Sequence, residues 1–247
     1  MTKIFRYELK RLLWNKTFFG ILVVSLCYGW MMLSGEIILG VSNTAPFSPW
    51  SFGYYLAQLL PMICLGELFF LTFFTSGQER RVKVITQATP VDSRKYAMVR
   101  CGAILLGSLL LSLCVIVLCL AFYGYFFRYT SFFTLLAPAL VTLLPAMIFC
   151  LGMGWGLGKI HPAMVYLLMA VVFLLAWLPL PQALDFSLSS FFTEYPLALG
   201  TLDPAFTLPG SILFGRALYA AAGVLLFVWS QCGRKDMILR KGFSKAL

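Results

Sequence analysis

Apolar positions in this chain do not recur as the stripe of a surface helix. They run on for about twenty residues at a time and then break at short polar clusters. Helices that are hydrophobic on every side belong in large cores or in lipid. At a rise of ~1.5 Å per residue, about twenty residues match a hydrocarbon layer of ~30 Å. The runs predict spans over residues 18–40, 52–75, 101–127, 132–158, 163–180 and 211–231. The fifth is short because Pro179 and Pro181 stop it. In lipid the backbone must bond within its own segment, and the alternation of a membrane barrel is absent. The expected fold is therefore an all-α membrane protein with six transmembrane helices.

The pattern changes ahead of the first span. Phe5, Leu9, Leu12 and Leu13 share one side of a helical wheel, while Lys3, Arg6 and Lys10 gather on another. Residues 1–17 thus predict an amphipathic elbow helix lying in the inner interface, its cations towards anionic membrane lipids. Lys16 falls on the apolar side of that wheel. The first run is long, lacks a small-residue cleavage site and follows Glu8, so it is expected to be a retained span and not a signal peptide.

Composition supports the membrane reading: 61% of 247 residues are hydrophobic and 11% are charged. That apolar share is more than a soluble domain of this size can bury. The net charge of +10 is unevenly placed, and the placement sets the topology. Lys and Arg fill the N-terminus, residues 76–100, the turn at Lys159 and the tail 232–247. The alternate connections hold only Arg128, and 181–210 has no Lys or Arg. By the positive-inside rule both termini and segment 76–100 are cytoplasmic, in a multi-pass protein of the cell inner or plasma membrane. The charge is thereby a topology signal, and no nucleic-acid partner is expected.

Enzyme chemistry finds little to work with. His161 is the only histidine, and the seven cysteines (27, 64, 101, 114, 119, 150 and 232) form no CxxC pair, so no metal site is expected. The stretch Gly152–Lys159, GMGWGLGK, fails as a phosphate loop at Met153 and again at Ile160. It reads better as helix packing, with Gly152/Gly156 and Gly154/Gly158 as small-xxx-small pairs. The chain is read as no enzyme.

The interior segment 76–100 can form a short helix from Glu79 to about Ala88, ended by Pro90, with Asp92 or Ser93 capping the third span. Around it stand Glu79-Arg80, then Thr89-Pro90-Val91, then Arg94-Lys95. In this order after a second span, those residues resemble the permease subunits of ABC-2 type ABC transporters. That family tends to have Glu-Arg-Glu, Gly-Thr and Pro-Val here. This chain has Arg81 for the second acid and no Gly in Val82-Lys83-Val84.

The resemblance implies a coupling helix between spans 2 and 3, with Glu79, Arg80, Arg81, Lys83, Val84, Thr89 and Pro90 meeting a separate ABC ATPase subunit. It implies a second permease subunit, identical or related, and no cofactor in this chain, since ATP and Mg would be bound by the ATPase. It also implies a hydrophobic outer connection, 181–210, dipping into the outer leaflet with Asp185, Glu194 and Asp203 at the surface. The implied function is ATP-driven export of a hydrophobic or amphipathic substrate, such as an antimicrobial peptide, drug or lipid. Two other classes stay open: a proton-coupled secondary transporter using Glu36 and Glu67, and a lipid-modifying membrane enzyme.

Within the spans, Trp30, Met31, Tyr54, Glu67 and Met169 are candidates to line a pathway. Glu36 and Arg216 lie at similar depths near the outer ends of spans one and six. An ion pair between them, within one chain or across a dimer, would relieve the cost of an unpaired ion inside a span. The alternative is that each side chain snorkels separately to the outer headgroups. Glu67 has no obvious cation at its depth.

Overall fold

The computed structural model describes residues 2–75, 93–178, 181–182 and 185–232. Among these the chain is all-helical, without strands. Its helices are α1 (Thr2–Leu13), α2 (Lys16–Gly35), α3 (Pro49–Thr75), α4 (Ser93–Phe127), α5 (Leu136–Ile160), α6 (Ala163–Trp177), α7 (Ser189–Leu199) and α8 (Gly210–Cys232). Short 3₁₀ turns, Ile37–Leu39 and Phe132–Leu135, extend α2 and precede α5. Among the described residues, five helices are long and apolar enough to cross a membrane: α2, α3, α4, α5 and α8. The fifth apolar run forms α6, whose 15 residues at ~1.5 Å each reach ~22 Å.

Local chemistry explains the boundaries. Asn15 stops α1 and starts α2, its side chain accepting from the Thr17 N–H. Lys16, which fitted no amphipathic face of α1, is the first residue of the next helix. Gly40 ends the α2 extension at φ 79, where an added Cβ would strike the Thr44 carbonyl. His161 stands between α5 and α6, and its Nδ1 accepts the Ala163 N–H at 3.2 Å. α4 begins at Ser93, so Arg94, Lys95 and Arg100 ride on its first turns.

The helix α3 is the axis of the bundle. It packs against α2, α4, α5, α6 and α7, and 67% of its apolar window is buried against 22% for α2 and α8. Around most of its circumference it is covered. Only Tyr54, Gln58, Met62, Leu65 and Phe69, spaced three or four residues apart, form a half-exposed stripe before its last turn.

The tightest crossing joins α5 to α8. A Cβ on Gly152 would meet the Gly223 backbone, and one on Gly223 would meet Ile148 and Phe149 backbone atoms. Gly154 leaves room for Leu68 and Leu71 of α3 on the other side. The Gly-rich stretch at 152–158 is thus a packing surface, whereas Gly156 has open space at its Cβ position.

This geometry sets an expected outcome. Gly152→Val and Gly223→Val should each lower the melting temperature of the purified protein by roughly 5 °C or more, the cost of overpacking a backbone contact. Gly156→Ala should leave it within about 1–2 °C, since the half-buried position has open space for a Cβ and meets no steric conflict. Equal melting temperatures for all three would contradict the crossing.

Candidate functional site

Three polar arrangements stand out in this apolar bundle, and the first ties α1 to α4. The inward face of α1 carries Ile4, Phe5, Leu9, Leu12 and Leu13, with Lys3, Arg6 and Lys10 exposed. At its centre is a buried acid, Glu8, with 3% of its surface exposed. Its Oε1 accepts from the Tyr96 hydroxyl at 3.0 Å and from Arg100 Nε at 3.3 Å. Arg100 Nη2 donates to the Tyr96 oxygen at 2.6 Å, and its guanidinium lies over the Tyr96 and Phe74 rings. Leu12 wedges into the space that Gly107 of α4 leaves open, beside Phe70 of α3. Charge-assisted bonds and this wedge dock α1 beside the facing ends of α3 and α4, which residues 76–92 connect.

The second arrangement lies at the opposite end. Asp185 is 4% exposed. Its Oδ1 accepts from the Ser187 N–H and hydroxyl, and its Oδ2 from the Ser190 N–H and hydroxyl. These bonds fold the chain into α7 through Leu188, which takes the left-handed φ of 64. Phe192 of α7 presses on Gly53 of α3, and Trp50 is packed among Phe191, Phe192, Tyr195 and Phe206. The Trp50 indole donates to the Pro204 carbonyl at 2.9 Å. Arg216 of α8 is buried below and donates to the Phe186 carbonyl at 2.9 Å and the Asp185 carbonyl at 2.8 Å.

Two expectations change here. Asp185 is buried and caps α7, whereas Glu194 and Asp203 are exposed. Glu36 and Arg216 do not pair within the chain. Glu36 Oε2 accepts from the Tyr54 hydroxyl at 3.1 Å, while Arg216 is taken up by main-chain carbonyls of the folded connection. A depth argument compares side chains and cannot register carbonyls that a distant loop carries into the bundle.

The third arrangement is that Glu36 cluster, at the α7 end of the bundle. Gln58 adjoins the Tyr54 hydroxyl, and Tyr28 of α2 lies within electrostatic reach of both Tyr54 and Glu36.

The remaining candidates are scattered. Trp30 and Met31 face outward, with Trp30 edge-on to Phe122, and Met169 is buried. Glu67 is fully buried in α3 beside Ser108. The Ser108 hydroxyl donates back to the Ile104 and Leu105 carbonyls, leaving both Glu67 oxygens without a bond among the described residues. Glu79, Arg80, Arg81, Lys83, Val84, Thr89 and Pro90 lie outside the described residues, as does the tail beyond Cys232. No group of residues suited to a metal ion occurs among the described residues. Sequence reading passed over Glu8 and Arg216's true partners; an acid on the apolar side of an otherwise basic helix was the available signal.

No protein-family model, curated protein or solved structure matches the chain.

Two outcomes follow from these contacts. Arg216→Met removes the donors to two carbonyls and should lower the melting temperature by roughly 5–15 °C and speed proteolysis within 185–208, with Arg216→Lys intermediate. Glu8→Gln should reduce crosslinking by a short bifunctional thiol reagent between cysteines placed at Phe5 and Gly102, since a Cβ built on Gly102 lies 3.5 Å from the Phe5 ring edge. Unchanged crosslinking in Glu8→Gln would mean that the apolar face alone holds α1.

Proposed function

We propose that the chain is the permease subunit of an ATP-driven exporter of the ABC-2 type, with six spans, cytoplasmic termini and ATP hydrolysis in a separate subunit. The observation that carries this reading is the docking of α1. An amphipathic helix is bonded through Glu8 to the first turns of α4, against the helix ends that the basic segment 76–92 joins. That segment holds the Glu79-Arg80 and Thr89-Pro90-Val91 residues on which the resemblance rests.

In this reading the ATPase binds segment 76–92, and a rotation there is passed to α4 and α1 as one unit. The span count of six takes α6 as a short crossing, with the Pro179–Pro181 break carrying the chain into the α7 connection. The α7 end is then the outer end. Its compact cap suits a pathway that opens only when the ATPase closes.

A second reading has one observation in its favour. Glu67, a buried carboxyl without a described hydrogen-bond partner, is what a proton-coupled transporter would use.

Reconstituted vesicles separate the two. The exporter reading expects co-purification with an ATPase, for which a product of a neighbouring reading frame is the first candidate. It also expects ATP-dependent transport, and cysteine crosslinks from positions 79–88 to that subunit. Replacing Arg80 and Val84 should uncouple hydrolysis from transport while leaving membrane insertion intact. Transport driven by a proton gradient without ATP, and abolished in Glu67→Gln, would overturn the exporter in favour of the second reading.

A further inference from the structure

Most acids of the described chain are matched by donors. Glu8 has Arg100 and Tyr96, Asp185 has four donors, Glu194 accepts from Gln182 and Asp203 from the Ala45 N–H. Glu67 has none. Glu36, like Glu194 and Asp203, is exposed with one neutral donor and no described cation within ion-pair distance. What sets it apart is that its donor is a phenol, with a second tyrosine near by and an apolar stripe of α3 beyond. An ionised carboxylate next to an apolar helix surface gains most from a cation that can come to it.

The surroundings define what that cation would be attached to. Tyr54 and Tyr28 add aromatic rings, whose faces attract ammonium and guanidinium groups. Gln58 adds a neutral amide beside the Tyr54 hydroxyl. From there the half-exposed stripe of α3 continues away from Glu36 as Met62, Leu65 and Phe69, a purely apolar track. Acid and rings at one end, and thioether and hydrocarbon along the rest, match a ligand with a cationic head and an apolar body.

We propose that the seam between α2 and α3, formed by Glu36, Tyr54, Tyr28, Gln58 and the Met62–Phe69 track, is a binding site for cationic amphiphiles. It takes their ammonium or guanidinium head at Glu36 and their apolar body along α3. This deepens the exporter reading and rests on it for calling the ligand a transported substrate. The same head chemistry occurs in aminophospholipids, which are the other source of such a ligand.

The test uses the full chain in uncharged maltoside micelles without ATP or partner, so it does not depend on transport. The probe is a photoreactive alkyltrimethylammonium, compared with its uncharged analogue of equal chain length. The ammonium probe should label α2 and α3 between Tyr28 and Phe69. Glu36→Gln should weaken that labelling roughly tenfold or more, the loss of a charge-assisted contact. Glu36→Asp should restore most of it, Tyr54→Phe should be intermediate, and Glu194→Gln, at an exposed acid elsewhere, should match wild type. Competition by dodecyltrimethylammonium but not phosphatidylethanolamine would assign the site to a soluble amphiphile, and the reverse to a lipid headgroup.

Equal labelling by charged and uncharged probes, or an unchanged Glu36→Gln, overturns the site even if ATP-driven transport is found. Glu36-dependent labelling in a protein with no ATP-driven transport keeps the site and removes the exporter.

Discussion

Helices meeting inside a hydrocarbon layer gain nothing by hiding apolar surface from water, because lipid tails are as apolar as leucine. What remains is close contact, and in this chain the closest contact is backbone on backbone, at Gly152 and Gly223. Without a Cβ on either residue, α5 and α8 approach until carbonyl oxygens and α-carbons touch. Two residues along, Gly154 admits Leu68 and Leu71, so the same helix that grips α8 also seats the axis of the bundle. A side chain at Gly152 would collide with the Gly223 backbone of α8, the helix that also carries Arg216.

Charge is used sparingly and where two elements must be joined. Glu8 and Arg100 lie 92 residues apart in sequence and fix a helix that could otherwise lie anywhere along the surface. Arg216 holds not an acid but two carbonyls, those of Asp185 and Phe186, and thereby the start of α7. The Asp185 carboxylate accepts from two serine hydroxyls and from the Ser187 and Ser190 N–H groups, and so supplies an acceptor that the first turn of α7 otherwise lacks. It also lies within electrostatic reach of the Arg216 guanidinium, so the buried ions offset each other while their hydrogen bonds are met by the chain.

Much of this was legible in the sequence, and the reasons divide cleanly. The long helices follow from uninterrupted apolar runs, and their ends from local residues: Asn15, Ser93, His161-Pro162. The α1 face was visible because Leu9 and Leu12 are near each other on a wheel. The Gly-rich stretch was visible as helix packing, but the pairing was not: the contact glycines are Gly152 and Gly154, two apart, whereas Gly156, four from Gly152, faces open space. Tertiary partners were not visible. Nothing in the sequence near Arg216 announces that residues 185 and 186 will fold back beneath α7. Equal depth therefore suggested Glu36, an acid that the fold gives to Tyr54. Asp185 was expected at the surface because aspartates in connections usually are; here two serines, at 187 and 190, make burial affordable.

The two ends of the molecule are linked through one helix. At one end Leu12 of α1 and Phe70 of α3 both lie at Gly107 of α4, and Arg100 covers Phe74. At the other, Phe192 of α7 rests on Gly53, and Trp50 sits in the aromatic cap. Between them α3 is covered on nearly all sides, so a tilt imposed near Phe74 has little freedom to dissipate before it reaches Gly53. Pro61, inside α3, removes one backbone bond midway along that path. The half-exposed stripe runs past it on Gln58 and Met62, between the acid at Glu36 and the apolar track. In the exporter reading, a change of angle at Pro61 alters that seam and the α7 cap together. Ligand release and opening of the outer end then become one motion of α3 rather than two events to be timed against each other.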